Sequence, residues 1–500
     1  MELDLQFKEL NCCEAAETLV ISHEETMETA IPEYCPDMTR IVDAVGQLKV
    51  REKKLSAGRL TVAGLVKVTV LYTSEESKGL RSMNLTVPFD CSVDDERLQG
   101  SRTVCVCGRL PLVEARAVTS RKIYVRVLPE FEVEGICERR KKICHDAEGE
   151  DSLHLHKKKL QVHMLTAVLE KEFPFNQECM PESGKGAPED LLLDRVFLQV
   201  TGCQRISTKL VVKGEAAVSL LYRTEQQMLQ SCEAVLPFSQ IVDGVDLPEA
   251  AVYQAEVWVI DSDVRLVRTE GGCAFGVSVR VGLLVRVYQQ VDVEYIDDLF
   301  ATRYQAKVQR QEIALQGCQP PQTLRREAAQ QLEFGRERPF ACVTGVECGA
   351  VTASAEGAKT ALRTNLRLKI LYLDESGAPV STERVMEVEA QVGEVPQAVR
   401  VVCAPPVMQM GTESCQIKIP VEFLIHQAKH HKLEAVSAVE LQEQEKKDTP
   451  SLVLRRIGQG ECLWDIAKQF GRDPQLICSV NQLEDEPGLP EGMLRIPKVR

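Results

Sequence analysis

Aromatic side chains are scarce, at 5% of the 500 residues, and only two are tryptophans, Trp258 and Trp464. Long apolar runs are missing too: the longest, such as 282–285, fall far short of the ~20 residues that span a bilayer. Positive charge is outweighed, with 60 Lys and Arg against 74 Asp and Glu, a formal −14. That balance argues against a general nucleic-acid binder, which needs a basic face to displace counterions. It also disfavours binding to anionic lipid by charge alone. The N-terminus, MELDLQFKELNCCEAAETLV, has no basic stretch followed by an apolar one. No secretory leader is visible, and the chain reads as cytoplasmic. The 19 cysteines are odd in number and scattered, Cys12-Cys13 and Cys105 with Cys107 being the closest pairs. Without a leader they read as reduced thiols, mostly small buried apolar groups.

What is present is ordinary for globular proteins, 44% hydrophobic and 27% charged. Five hundred residues exceed one core, so roughly three to five units are expected. A repeat supplies three of them. Around Tyr72 the chain reads AGLVKVTVLYT, around Tyr222 KGEAAVSLLYR, and around Tyr372 TNLRLKILYLD, so the tyrosines are 150 residues apart both times. The first two copies share Gly64 and Gly214, and a downstream Pro-Phe, Pro88-Phe89 and Pro237-Phe238. The third has Thr364 in place of the glycine and lacks the Pro-Phe. Val66, Val68 and Val70 alternate with Lys67, Thr69 and Leu71, the period of a strand with one buried face. Similar alternation at 60–62, 121–127, 210–212, 277–288 and 416–424 predicts a mainly β chain: three β-rich, sandwich-like repeat domains followed by a small terminal module. Helices are expected near 37–45 and over 322–332.

The boundaries follow from composition. Residues 1–24 form an N-terminal segment, 25–137 the first β domain, 138–174 a polar connection containing ERRKK and HKKK, 175–305 the second domain and 306–430 the divergent third. Within the second, 181–190 (PESGKGAPED) reads as exposed. Residues 431–450 read as a charged, partly helical linker, and 451–500 as the final module. The repeats resemble the DUF3794 family of spore-forming Firmicutes. The resemblance is carried by Pro36-Asp37-Met38 with Ile41, the Gly-to-Tyr strands with their Pro-Phe, and YIDDLFATRY at 295–304.

The last 50 residues carry the most specific pattern. A strand at 452–456 leads into Gly458-Gln459-Gly460, and Leu463, Ile466, Ala467 and Phe470 then mark one face of a helix. Gly471 stops it. Asp473-Pro474 caps and starts a second helix, with Leu476, Ile477 and Val480 on its apolar face, ended by Asn481. Leu489-Pro490-Glu491-Gly492 turns into a last strand at 493–496. This βααβ order resembles a LysM domain through Gly460, Leu463-Trp464-Asp465-Ile466-Ala467, Phe470-Gly471, Asn481 and Pro490-Glu491-Gly492…Ile496-Pro497. The resemblance implies a shallow groove for N-acetylglucosamine polymers or another ligand, formed by Gly460, Glu461, Cys462, Leu463, Asn481, Leu489, Pro490, Glu491, Gly492 and Met493. It implies a core of Trp464, Ile466 and Phe470, with Trp464 read as core rather than ligand contact. Where the family has Gly-Asp-Thr before the leucine, this chain has Gly460-Glu461-Cys462. That exchange weakens the helix cap by about 1 kcal/mol and removes a hydroxyl that could meet sugar, which favours a protein ligand.

DUF3794 repeats followed by one LysM resemble the SipL-type spore coat morphogenetic proteins. That resemblance implies a non-catalytic mother-cell scaffold at the forespore surface, whose LysM recruits the coat ATPase, stage IV sporulation protein A. The competing reading is a peptidoglycan-binding module of cortex or wall, which would require export. An enzyme is a third reading without a motif behind it: Gly184-Lys185-Gly186 lacks the outer Gly and the Ser/Thr of a phosphate loop, and G-x-S-x-G and H-E-x-x-H are absent. His154 and His156 would share one strand face, but with Cys144, His145 and His163 they match no zinc spacing. No metal or cofactor is expected.

Overall fold

The computed structural model describes residues 3–497 apart from 76–78, 150–151, 182–183, 244–246, 270–271, 321, 335–339, 444–451, 459–460 and 484–491. Among the described residues the chain is mainly β in several antiparallel sheets. The two α-helices among the described residues, α1 (Leu463–Phe470) and α2 (Pro474–Asn481), lie near the C-terminus. No described helix is long and apolar enough to cross a membrane.

Three meanders carry the three tyrosines. The first orders Arg40–Ser56, Arg59–Thr73 and Leu80–Asp94 side by side, the second Pro188–Ile206, Lys209–Thr224 and Leu229–Asp243. In the third, Lys359–Leu373 is central, with Pro379–Val392 on one side and the shorter Ala341–Cys348 and Thr352–Glu356 on the other. Each meander faces a second group of strands across its own core. Val62, Val66, Val68 and Val70 meet Ile123, Val125 and Phe131. Val212, Val218 and Leu220 meet Phe275 and Val279. Leu366, Leu368 and Ile370 meet Ile417, Val421 and Phe423. Full burial of such a side chain contributes roughly 1.5–3 kcal/mol, which makes these cores the main source of stability.

At the tyrosine end of each meander the opposite face is buried too, which corrects the expectation of one buried face there, while Lys213, Glu215 and Asn365 farther along stay exposed. Leu71, Leu221 and Leu371 are buried together with Val45, Leu193 and Cys342 in a cluster shared by all three meanders. Several polar groups at this junction are paired, as burial favours, although Asp194 Oδ2 is buried without a partner among the described residues. The Asp43 carboxylate accepts from Thr344 Oγ1 at 2.8 Å and Ser381 Oγ at 2.9 Å. Lys67 Nζ meets Asp194 at 2.6 Å. Nearby, Arg286 is buried between Glu134 and Glu256, and Arg400 also binds Glu256.

The shared glycine and Pro-Phe of the first two copies have one cause. Gly64 pairs with Phe89, and Gly214 with Phe238, across adjacent strands. A Cβ on Gly214 would lie 2.3 Å from the Phe238 ring, and one on Gly64 2.1 Å from the Lys49 carbonyl and 2.9 Å from the Phe89 ring. The ring therefore occupies the space a side chain would take. At Thr364 the cross-strand partner is Val388, so the third copy loses glycine and phenylalanine together.

Several segments expected as helix or connection are strand. Residues 37–45 include the start of Arg40–Ser56, and 322–332 lie in Gln322–Glu333, paired along its length with Ser414–His426. Leu324, Ala328 and Leu332 recur every four residues, a spacing that places them on one face of a strand as well as of a helix. Tertiary pairing overrides the helix propensity of this Ala- and Gln-rich stretch. Residues 138–174 lie largely in two 27-residue strands, Lys122–Glu148 and Leu153–Cys179. The segment read as a linker from 431 is strand through Glu443, in Ala428–Glu443. These long strands pair in three ribbons, Asp4–Ala15 with Lys122–Glu148 and Leu153–Cys179 with Gly272–Ala301 inside one eight-stranded sheet, and Tyr304–Cys318 with Ala428–Glu443 as a separate two-stranded sheet. Ile143, Met164, Val293, Leu315 and Leu433 fill the space between them. The basic runs are cross-strand partners, with Lys141 on Glu14 at 2.9 Å, Lys157 on Asp146 at 2.8 Å, and Lys158 on Asp297 at 2.5 Å. Cys348 and Cys403, 55 residues apart in sequence, are brought side by side at the ends of Ala341–Cys348 and Ala398–Cys403.

Candidate functional site

The C-terminal module is a strand (Leu452–Arg456), α1, α2 and a last strand (Met493–Pro497), the two strands pairing with each other. Their order and bounds match the sequence pattern closely. Cys462 is the N-cap of α1: its Sγ accepts from the Asp465 backbone N–H at 3.4 Å, and its thiol donates to Asp465 Oδ2 at 2.8 Å. Burial, then Asp465, pushes this thiol above the ordinary cysteine value. Glu461 turns the other way, accepting from the Gly458 backbone N–H at 2.9 Å and from Arg455 at 2.6 Å. Gly471 closes α1 in the left-handed conformation at φ 58°, and Asp473 caps α2 by accepting from the Gln475 N–H. Ile466, Ala467, Ile477, Leu494 and Ile496 are the buried centre.

Of the expected groove, Gly460, Leu489, Pro490 and Glu491 lie outside the described residues. Asn481 is committed to the backbone: its Nδ2 donates to the Ile477 and Arg495 carbonyls, and its Oδ1 accepts from the Arg495 N–H, each at 2.7 Å. It staples the end of α2 to the last strand. The Gly492 carbonyl accepts from the Ile457 N–H at 3.0 Å. Leu463 and Phe470 are part-buried against the module's core, while Met493 is 61% exposed.

Trp464 makes a contact that sequence reasoning missed. It faces the tip of the ribbon formed by Leu153–Cys179 and Gly272–Ala301. There the register shifts between Ile296 and Asp298, and such bulges re-aim side chains. Asp297 turns to His156 at 2.5 Å and to Lys158. Asp298 turns to the module, accepting from Trp464 Nε1 at 2.8 Å and from Lys468 Nζ at 2.7 Å, as well as from Arg310 of the third ribbon at 2.8 Å. Burial opposes ionisation of this carboxyl, but Lys468 and Trp464 override it and hold it below the ordinary aspartate value. Phe300 meets the Trp464 ring edge-on at 4.9 Å, His156 lies 4.9 Å from the same ring, and His154 lies 3.9 Å from the α2 cap Asp473. Phe300 joins the module's own buried cluster. Because a core this small is marginal alone, the ribbon completes it. The only hint in the sequence was the acidic pair before Leu-Phe in YIDDLFATRY.

His145 bonds the Gln6 carbonyl, and the described residues contain no group of three or more His, Cys, Asp or Glu arranged to hold a metal. A cavity of about 470 Å³ among the β units is lined by Leu48, Cys105, Phe197, Trp258, Glu256 and Arg400. Its acid and base are already joined to each other. Burial pushes Cys105 up to about 11, and Cys13 and Cys342 up to about 12, which keeps them as unreactive thiols.

No curated protein and no solved structure matches the chain significantly. A family model does: residues 37–108 match the SPOCS domain of SipL. The match spans the whole first meander, with its bulged strand pair, Gly64, Tyr72 and the Pro88-Phe89 step. Residues 37–108 are thus similar to the SPOCS domain of SipL, a similarity that points to a sporulation-related protein.

Proposed function

We propose that this protein is a non-catalytic scaffold of spore coat assembly, working in the mother cell. In this reading its three β units are copies of one SPOCS-like repeat. Its C-terminal module is of LysM type and recruits the coat morphogenetic ATPase, stage IV sporulation protein A. The observation that carries the reading is the SPOCS match combined with a βααβ module held at one ribbon tip. Two features support a protein ligand over a sugar. Cys462 and Glu461 stand where the family has a hydroxyl and an aspartate, and both are engaged inside the module. The Asn481 amide is spent on backbone.

The test is affinity purification of the tagged chain from sporulating cells, with residues 451–500 present or deleted, read by mass spectrometry. Recovery of the coat ATPase only with the module present supports the reading. Recovery unaffected by the deletion, together with pelleting of the intact chain on peptidoglycan, overturns it in favour of a glycan-binding module.

A further inference from the structure

In a two-stranded ribbon covered on one side by helices, the uncovered side should be polar. Val453, Leu494 and Ile496 face inward and are wholly or partly buried in the module's core. The alternate positions form three cross-strand pairs, Leu452 with Pro497, Leu454 with Arg495, and Arg456 with Met493. Four of these six are apolar, two are arginines and none is acidic. Leu452, Leu454 and Met493 are 50%, 58% and 61% exposed. Neither arginine side chain makes a hydrogen bond or ion pair with any described residue. The helical side of the module is meanwhile taken by the ribbon tip through Trp464 and Lys468.

We propose that this outer face of the strand pair Leu452–Arg456 and Met493–Pro497, rather than the loop groove, is the surface that docks the partner. The partner surface it fits is apolar and carries carboxylates spaced to meet Arg456 and Arg495. The charge argument is direct. The chain as a whole is −14, yet this face is purely basic and apolar, so its complement is an acidic protein surface with exposed aliphatic side chains. Two arginines flanking aliphatic contacts are a common composition for a protein docking patch. The inference rests on the recruitment reading above and names the site of that recruitment.

The test measures binding of the purified coat ATPase to four full-length proteins: wild type, Leu454→Ser/Arg456→Glu/Arg495→Glu, the milder Leu454→Thr/Arg495→Gln, and a chain lacking 451–500. Trp464 emission and thermal unfolding report whether the module stays folded and docked. Wild-type binding with at least 30-fold loss in the triple variant, and at least 5-fold loss in the milder one, is the expected result. If the triple variant unfolds the module, the milder variant decides. Wild-type affinity in a folded face variant, with binding lost on deletion, overturns the face and leaves recruitment standing. Failure of the wild type to bind overturns both. Self-association that the face variants abolish, with ATPase binding intact, assigns the face to a second copy and overturns the proposal.

Discussion

Asp298 carries the docking of the module, and its removal gives the most direct test of that geometry. In Asp298→Ala, Trp464 Nε1 and Lys468 Nζ lose their acceptor. A hydrogen bond to a charged group is worth about 1.5–3 kcal/mol, and breaking a fully buried pair costs about 3–5 kcal/mol. Here Asp298 is buried, but Lys468 is 37% exposed and Arg310 42%. Both cations can rehydrate, which places the loss near the lower range, about 2–3 kcal/mol. That shifts the docked-to-free ratio roughly 30- to 150-fold. The assay is Trp464 fluorescence in a Trp258→Phe background, since these are the only two tryptophans. Release from Phe300 and His156 should move the emission to the red and relieve quenching by the neighbouring imidazole. The pH sign follows from the lowered carboxyl: its contribution is present above the ordinary aspartate value of 3.8 and is lost as pH falls through the lower, folded value. Unchanged Trp464 emission in Asp298→Ala would refute the claim that this carboxylate holds the module in place.

Three further outcomes follow from the β units. Gly64→Ala and Gly214→Ala should each cost about 2–3 kcal/mol through overpacking, whereas Gly202→Ala, with nothing within 4 Å of its Cβ, should unfold at the wild-type urea midpoint. Arg286→Met should cost about 3–5 kcal/mol by leaving Glu134 and Glu256 short of a cation; a stability within 1 kcal/mol of wild type by denaturant titration would contradict the network. Burial pushes the Glu347 carboxyl up to about 7, with Arg195 opposing. A raised acid favours the folded state fully below its unfolded value near 4.5 and loses that contribution as pH rises through 7. From pH 5 to 8 the wild type should therefore lose about 1–2 kcal/mol that Glu347→Gln keeps, the side chain being only partly buried. Parallel stability curves would count against it.

Strand content and the terminal module were legible because their signals are local. Period-two alternation marked the tyrosine strands, and the capping residues Gly471 and Asp473 marked the ends of α1 and α2. The faces and connections were not legible, because they depend on partners distant in sequence. Leu71 reads as an outward residue until Leu221 and Leu371 arrive to bury it. ERRKK and HKKK read as solvated connections because the acids that pair with them, Glu14 and Asp297 among them, lie up to 139 residues away. The helix expected over 322–332 failed because a four-residue spacing fits both periods, and only the full-length pairing with Ser414–His426 decides between them. At the terminal site, Trp464 was correctly placed on α1, but its acceptor 166 residues upstream was marked only by the acidic pair of YIDDLFATRY.

The ribbons also bear on the order in which the protein can be made. Each pairs two strands that bracket one meander: Asp4–Ala15 waits for Lys122–Glu148, Leu153–Cys179 for Gly272–Ala301, and Tyr304–Cys318 for Ala428–Glu443. A nascent chain leaving the ribosome can thus complete one unit before the next emerges, which confines unpaired strand edges to a single unit at a time. The leucine junction closes only when Leu371 has been made, and the seat at Asp298 is ready well before Trp464 appears. The module arrives after all three β units and finds a finished surface, so a chain that stalls early presents a ribbon tip without its cover.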